Sequence, residues 1–126
     1  MSRPKHILVV DDDPHIRKLI TTCLTNQGFQ VKVAHNGKDG LEMVKQLFPD
    51  LVLLDLNMPV MSGEAMCREI KDGYDKKLRS VPILMLTGKT SDVDRVVGMV
   101  MGANGYLTKP FDVKNLLESI QGILND

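Results

Sequence analysis

The sequence is short of the features that usually announce a site or an address. It has two cysteines, Cys23 and Cys67. They lack the close spacing of a zinc or redox motif, and each falls on the apolar stripe of a predicted helix, so both read as reduced core thiols. There is no excess of either charge, because sixteen basic residues balance sixteen acidic ones. The positive field with which a nucleic-acid or anionic-membrane binder neutralises phosphates is therefore missing, and this chain alone is not expected to bind DNA. No apolar run is long enough to span a bilayer. The first one, from His6, meets Asp11 at once, too soon for a signal peptide as well, and the chain is expected to stay in the cytoplasm. Low-complexity tracts and linkers are also missing. At 126 residues the chain has room for one domain with a real core, expected over residues 1–126, and none for a second catalytic or output domain.

What the sequence does have is alternation. Short apolar runs alternate with amphipathic stretches, the pattern of parallel strands covered by helices on both faces. The strand candidates are His6 to Val10, Gln30 to Ala34, Leu51 to Leu54, Pro82 to Leu86 and Gly105 to Leu107. The first, third and fourth are almost continuously apolar, which suits strands buried on both faces. Asp13 caps the first helix, Pro14 fits its first position, Ile16, Leu19, Ile20, Cys23 and Leu24 form its stripe, and Gly28 ends it. A second helix follows Asn36-Gly37 with Leu41, Val44, Leu47 and Phe48 inward and Pro49 as the stop. A third starts near Ser62 with Met66, Cys67 and Ile70, a fourth near Ser91, and a fifth at Asp112 with Leu116, Leu117, Ile120, Ile123 and Leu124. The stretch Lys71 to Ser80 is polar enough for a looser surface connection. Five βα repeats with right-handed crossovers predict an open doubly wound α/β sheet, whose ligands bind outside the carboxyl ends of the strands.

The polar residues of interest stand where apolar runs stop. Asp11, Asp12 and Asp13 follow the first strand, Asp55 the third, Thr87 the fourth and Lys109 the fifth. Neighbouring first and third strands crowd Asp11, Asp12 and Asp55 into one shallow pocket. At about 5 Å and an effective dielectric near 20, each pair repels by up to roughly 3 kcal/mol. A hard divalent cation offsets that, and magnesium suits an open site made of a few carboxylates, a carbonyl, waters and a phosphate. Lys109 adds a fixed positive charge and Thr87 a hydroxyl, which together imply an anion acceptor. Asp55 stands alone at its strand end and is the plausible nucleophile, while Asp11 and Asp12 form a pair suited to the metal. Neutralising charge on the transferred phosphoryl group is most of the catalysis such a transfer needs. His6, His15 and His35 share no metal-ligand spacing.

The segments Leu8-Val9-Val10-Asp11-Asp12, Asp55-Leu56-Asn57-Met58-Pro59 with Ser62-Gly63, Leu86-Thr87, and Tyr106-Leu107-Thr108-Lys109-Pro110-Phe111 resemble the receiver domain of bacterial two-component response regulators. The resemblance runs from about Lys5 to Ile123, and four motifs in order at strand ends are specific where one alone is not. It implies a flavodoxin-like fold with five helices and strand order 2-1-3-4-5, the order found in chemotaxis receivers. It further implies that Asp12 and Asp55 coordinate magnesium directly, Asp11 through a water, and Asn57 through its backbone carbonyl. Lys109, the Thr87 hydroxyl and the amides of Asn57 and Gly88 would contact the phosphoryl group. Thr87 and Tyr106 would form the switch, and Lys109-Pro110 would be a cis peptide.

The implied function is a phosphorylation switch, not an enzyme with a separate substrate. A sensor histidine kinase or histidine phosphotransfer protein donates to Asp55, and the surface of the fourth helix, fifth strand and fifth helix then controls a downstream protein. The alternatives are a receiver fragment of a larger regulator or hybrid kinase, an aspartyl-nucleophile phosphohydrolase and a flavin carrier. Asn57 stands where the phosphohydrolase places a second acid, and Asp11 to Asp13 repel the phosphate a flavin loop would cradle. The chain departs from the family pattern at Gly88 and Lys89, which follow Thr87 and bear on the lifetime of the phosphorylated state. In the fourth helix Val93, Val96, Val97, Met99, Val100 and Met101 wrap too far round to be buried together, so some apolar surface must remain. Receivers commonly carry charge at positions 97 and 100, so the resemblance marks Val97 and Val100 as a candidate partner or homodimer surface, weighed evenly against a wide core contact.

Overall fold

The structure is a computed structural model, and it describes residues 4–56, 58, 60–88 and 102–125. Five parallel strands, β1 (His6–Val10), β2 (Gln30–Ala34), β3 (Leu51–Asp55), β4 (Ile83–Thr87) and β5 (Gly105–Thr108), form one sheet in the order β2-β1-β3-β4-β5. The helices among the described residues are α1 (Pro14–Asn26), α2 (Gly37–Leu47), α3 (Gly63–Lys71), the short α4 (Lys76–Arg79) and α5 (Val113–Leu124). This is the doubly wound architecture that the βα alternation predicts. The helix expected from about Ser91, with Val97 and Val100, lies outside the described residues, as do Asn57 and Lys89.

Alternation along the central strands builds two cores. Side chains of successive strand residues point to opposite faces. Leu8, Val10, Val52, Leu54, Ile83 and Met85 therefore meet Val44, Met66, Cys67 and Ile70 from α2 and α3. On the other face Ile7, Val9, Leu51, Leu53, Leu84 and Leu86 meet Ile20 and Leu24 of α1 and Leu116 and Ile120 of α5. Every residue of β3 and β4 is buried. Each large side chain so buried contributes about 1.5–3 kcal/mol, which fixes the register and hence the place where each strand ends.

Local signals set the helix starts. The Asp13 carboxylate accepts from His15 N at 2.8 Å, with Pro14 in the first helical position. Asn36, Ser62 and Asp112 cap α2, α3 and α5 in the same way. Gly28, at φ 92°, takes the left-handed conformation that ends α1 and that a β-carbon disfavours.

The apolar stripes are narrower than the sequence suggests. Leu19 is 46% exposed, lying off the row Ile16, Ile20 and Leu24 that faces the sheet. Leu47 is 50% exposed because α2 ends there and the backbone turns left-handed at Phe48. Cys67 is buried and Cys23 half-buried. The connection from Lys71 to Ser80 is also more ordered than its polarity implies. Asp75 caps α4, Leu78 is buried, and Lys71 Nζ bonds the carbonyls of Arg79 and Val81 at 3.0 and 2.7 Å. Among the described residues no helix is long and apolar enough to cross a membrane.

Candidate functional site

The carboxyl ends of β1, β3, β4 and β5 bring Asp11, Asp12, Asp55, Thr87 and Lys109 together at one rim. Asp55 and Thr87 are the last residues of their strands, one position earlier in the ladder than their polarity suggests. Pairing continues through them, Asp55 with Leu86 and Thr87 with Thr108. A polar side chain at the final rung is held by backbone on both sides. This is why both remain buried, Asp55 at 4% exposure and Thr87 at 0%.

Asp11 is the most constrained member. It follows β1 but its N–H still bonds Ala34 O at 3.2 Å, and the residue is fully buried. Its Oδ1 accepts from Asp13 N at 2.9 Å, its Oδ2 from Lys109 Nζ at 2.8 Å, and its backbone carbonyl from Arg17 Nη1 at 2.8 Å. Asp12, by contrast, is exposed. One carboxylate oxygen from each of Asp11, Asp12 and Asp55 lies within 4.8 Å of the others.

Lys109 sits among these acids rather than opposite them. Its Nζ is 2.8 Å from Asp11 and 3.6 Å from Asp55 Oδ1, and its N–H bonds Thr87 O. Burial pushes its ammonium toward deprotonation, but the hydrogen bond and charge of Asp11, together with Asp55, outweigh that and hold its pKa above the ordinary lysine value. Among the described residues one ammonium, that of Lys109, pairs with the carboxylates of this three-acid cluster, which keeps a net negative charge. That charge, the all-oxygen donor set and the exposure of Asp12 fit a hard divalent cation that keeps part of its water shell.

Tyr106, in β5 opposite Met85, is half-buried against the core shared with α2 and α3. Gly88 is exposed, and a β-carbon there would meet nothing within 4 Å, so the space beside Thr87 is open. Lys109-Pro110 is cis. His15 and His35 are exposed, and His35 Nε2 lies 3.7 Å from Asp39. An open depression of about 360 Å³, lined by Phe48, Pro49, Lys77, Pro82 and Leu124 among others, includes none of the acidic-site residues.

Two contacts that support the site were not read from the sequence, the close fit of two glycines and the bond made by Arg17. Gly63 packs so tightly that a β-carbon would collide with the Asp55 carbonyl and stand 2.8 Å from Leu56 Cα. Gly37 does the same against Met61, whose Cβ would lie 2.9 Å away. The loop after β3 is thus pressed between α2 and the strand end. Arg17 is the other. A cation in the second turn of a helix gains nothing from the helix dipole, and that misplacement was the available signal.

The chain matches the model of the response regulator receiver domain over residues 7–121. It belongs to that family. The receiver's curated relatives include the DNA-binding response regulator MtrA of Mycolicibacterium smegmatis, 42% identical over 120 residues, with 95% of this chain and 50% of that protein covered. The chain therefore spans about half the length of that relative. Chemotaxis protein CheY4 of Vibrio cholerae superposes with a TM-score of 0.89 at 33% identity, covering 97% of this chain and 100% of the other. The receiver domain of sensor histidine kinase PA1611 from Pseudomonas aeruginosa, which holds a magnesium ion in its active-site cleft, superposes with a TM-score of 0.89 at 29% identity, covering 98% and 100%. Receivers of this kind are regulatory domains of two-component signalling, and the acidic group Asp11, Asp12 and Asp55 is able to bind a metal.

Proposed function

We propose that this receiver is a phosphorylation-activated switch in which Asp55 accepts a phosphoryl group from a histidine kinase or a histidine phosphotransfer protein. The observation that carries the reading is the convergence of Asp55 with Asp11, Asp12 and Lys109 at one strand-end rim. An Asp55 carboxylate oxygen attacks phosphorus as the bond to the donor's histidine nitrogen breaks, the electron pair returning to that nitrogen, which leaves an acyl phosphate on the chain and a dephosphorylated histidine on the donor. The β3–β4 ladder fixes the Asp55 backbone, which limits the positions its carboxylate can take.

Magnesium, held by Asp12 and Asp55 directly, by Asp11 through water and by the Asn57 carbonyl, would neutralise charge on the transferring group. The bonding of Asp11 favours an indirect role, since both its oxygens already accept hydrogen bonds whereas Asp12 faces solvent. Lys109 is placed to move from Asp11 toward a phosphoryl oxygen on Asp55, a neighbour it already approaches. Thr87, with the Gly88 and Asn57 amides, would take the remaining phosphoryl oxygens. Tyr106 lies one strand over and follows Thr87 inward, changing the β5 and α5 surface together with the expected Ser91 helix and its Val97 and Val100.

The reading treats residues 1–126 as one cytoplasmic receiver domain that assists its own phosphorylation and dephosphorylation and acts through a downstream protein. Acetyl phosphate, or beryllofluoride with magnesium, tests it. A mass increase or spectral change that Asp55→Asn abolishes is expected, and a response that survives Asp55→Asn rejects the assignment.

A further inference from the structure

We infer that Arg17 is a positioning residue of the acidic site, acting on the peptide group that joins Asp11 to Asp12. The inference rests on the reading that this site takes magnesium, and it adds a residue that neither touches the metal nor lies at a strand end.

The Asp11 carbonyl belongs to a residue with no solvent exposure, so water does not serve it. It is also outside α1, where the first backbone acceptor is Asp13 O, bonded by Arg17 N at 3.0 Å. Arg17 Nη1 supplies the donor at 2.8 Å. A buried carbonyl that loses its partner turns toward another donor or remains unsatisfied. Turning toward another donor rotates the single peptide plane that sets the direction of both acids, and remaining unsatisfied removes the bond that holds that plane in place. Among the described residues Asp11 is then held at its carboxylate by Asp13 N and Lys109 Nζ. When Lys109 moves to a phosphoryl group, the Arg17 bond and the Asp13 amide are what keep Asp11 aimed at the metal's water shell.

Charge and position predict opposite results, which makes the inference testable. A guanidinium beside a cation site opposes the cation, so if Arg17 matters only as charge, neutralising it strengthens magnesium binding. If it positions the acids, neutralising it weakens binding, and loss of an outer-shell partner typically costs 10–100-fold in metal affinity. We expect roughly a tenfold loss in Arg17→Gln. Arg17→Lys, which keeps the charge but offers one shorter donor, should recover only part of it.

The experiment is a magnesium titration of wild type, Arg17→Gln, Arg17→Lys and Asp12→Asn, followed by amide NMR, which also reports whether each variant is folded. The Asp13 amide is the second readout, because its bond to Asp11 Oδ1 senses that carboxylate before any metal is added. Weaker magnesium binding with a displaced Asp13 resonance in metal-free Arg17→Gln supports the inference. Unchanged or tighter binding with a wild-type Asp13 resonance overturns it. Should Arg17→Gln not fold, folded Arg17→Lys decides alone, by weakened or by unchanged affinity. Wild type showing no magnesium-dependent shift that Asp12→Asn removes would instead defeat the metal reading itself.

Discussion

Lys109 holds Asp11 more closely than it holds Asp55, with its Nζ 2.8 Å from Asp11 Oδ2 and 3.6 Å from Asp55 Oδ1. The fully buried Asp11 carboxylate thus has its charge balanced by a side chain 98 residues away that also approaches Asp55. Removing the ammonium takes away the cation that, among the described residues, is bonded to an acid carboxylate of this group. Lys109→Gln should lower stability in magnesium-free buffer by about 1–3 kcal/mol, below the usual cost of breaking a deeply buried pair because the lysine is partly exposed. Binding to the folded state alone stabilises by mass action, so millimolar magnesium should restore more stability to the variant than it adds to wild type. Urea denaturation with and without magnesium checks both, and equal magnesium effects in the two proteins would count against this balance of charge.

Asp12 offers the opposite sign. It is the exposed member of the acid group and adds repulsion to it. Asp12→Asn should raise metal-free stability by about 0.5–1 kcal/mol, a screened share of the Coulomb term for a pair near the surface. It should also remove the stabilisation that magnesium gives wild type. Melting curves across a magnesium series report this directly. A metal-free variant less stable than wild type would mean that Asp12 serves the fold and not the ion.

Gly63 concerns position and not charge. A β-carbon there would collide with the Asp55 carbonyl and crowd Leu56 Cα, both backbone atoms that yield only if the end of β3 moves. Gly63→Ala should cost about 1–3 kcal/mol, the usual penalty of overpacking. It should also slow acetyl phosphate labelling of Asp55, since the displaced backbone is that of Asp55 itself. A variant with reduced stability but wild-type labelling would separate the packing from the chemistry.

The sequence exposes a residue's type and its neighbours, and in this chain that was enough for the sheet. Continuous apolar runs located the central strands, and their ends located the site, because Asp11, Asp55 and Thr87 are polar side chains at the limits of segments that must be buried. The same logic placed the ends of β3 and β4 one residue early, because a buried Asp or Thr at the last rung looks like the first loop residue. Spacing also says nothing of which face of α1 turns inward. Leu19 carries the same signal as Ile20, yet only Ile20 reaches the sheet. The pairing of Lys109 with Asp11 and the grip of Arg17 on a carbonyl depend on three-dimensional approach, and no periodicity encodes them.

Val60, in the loop that follows β3 and Asp55, carries backbone strain. Its φ is 70°, in the left-handed region that a β-branched residue resists, and it is 78% exposed, so little packing offsets the conformation. Replacing it with a residue at ease there should stabilise the chain by about 1–2 kcal/mol for Val60→Gly, less the backbone entropy that glycine loses, and by a similar amount for Val60→Asn. Urea midpoints measure this. If stability rises while the magnesium-dependent labelling of Asp55 falls, the strain belongs to the site, in keeping with the storage of such conformations at functional loops. No gain from either variant would mean that the loop relaxes around valine without cost.

Cys67 gives the chain a dependence on alkaline pH. Burial raises the pKa of its thiol above the ordinary 9.0, the Lys71 ammonium lowers it in part, and Asp72 raises it further. The native thiol therefore keeps its proton where the unfolded chain releases one. Stability from this group is fully present below 9.0 and is lost as pH rises through the higher native value. Lys71 acts in reverse, because burial lowers its native pKa below 10.5 and stability from it grows with pH over that window. Comparing wild type with Cys67→Ala at each pH isolates the thiol. The variant should be less stable than wild type at about pH 8, where a buried side chain has been truncated, and the gap should narrow as pH rises past 9.0. A gap constant across that range would show that Cys67 ionises in the folded protein as readily as in the unfolded chain.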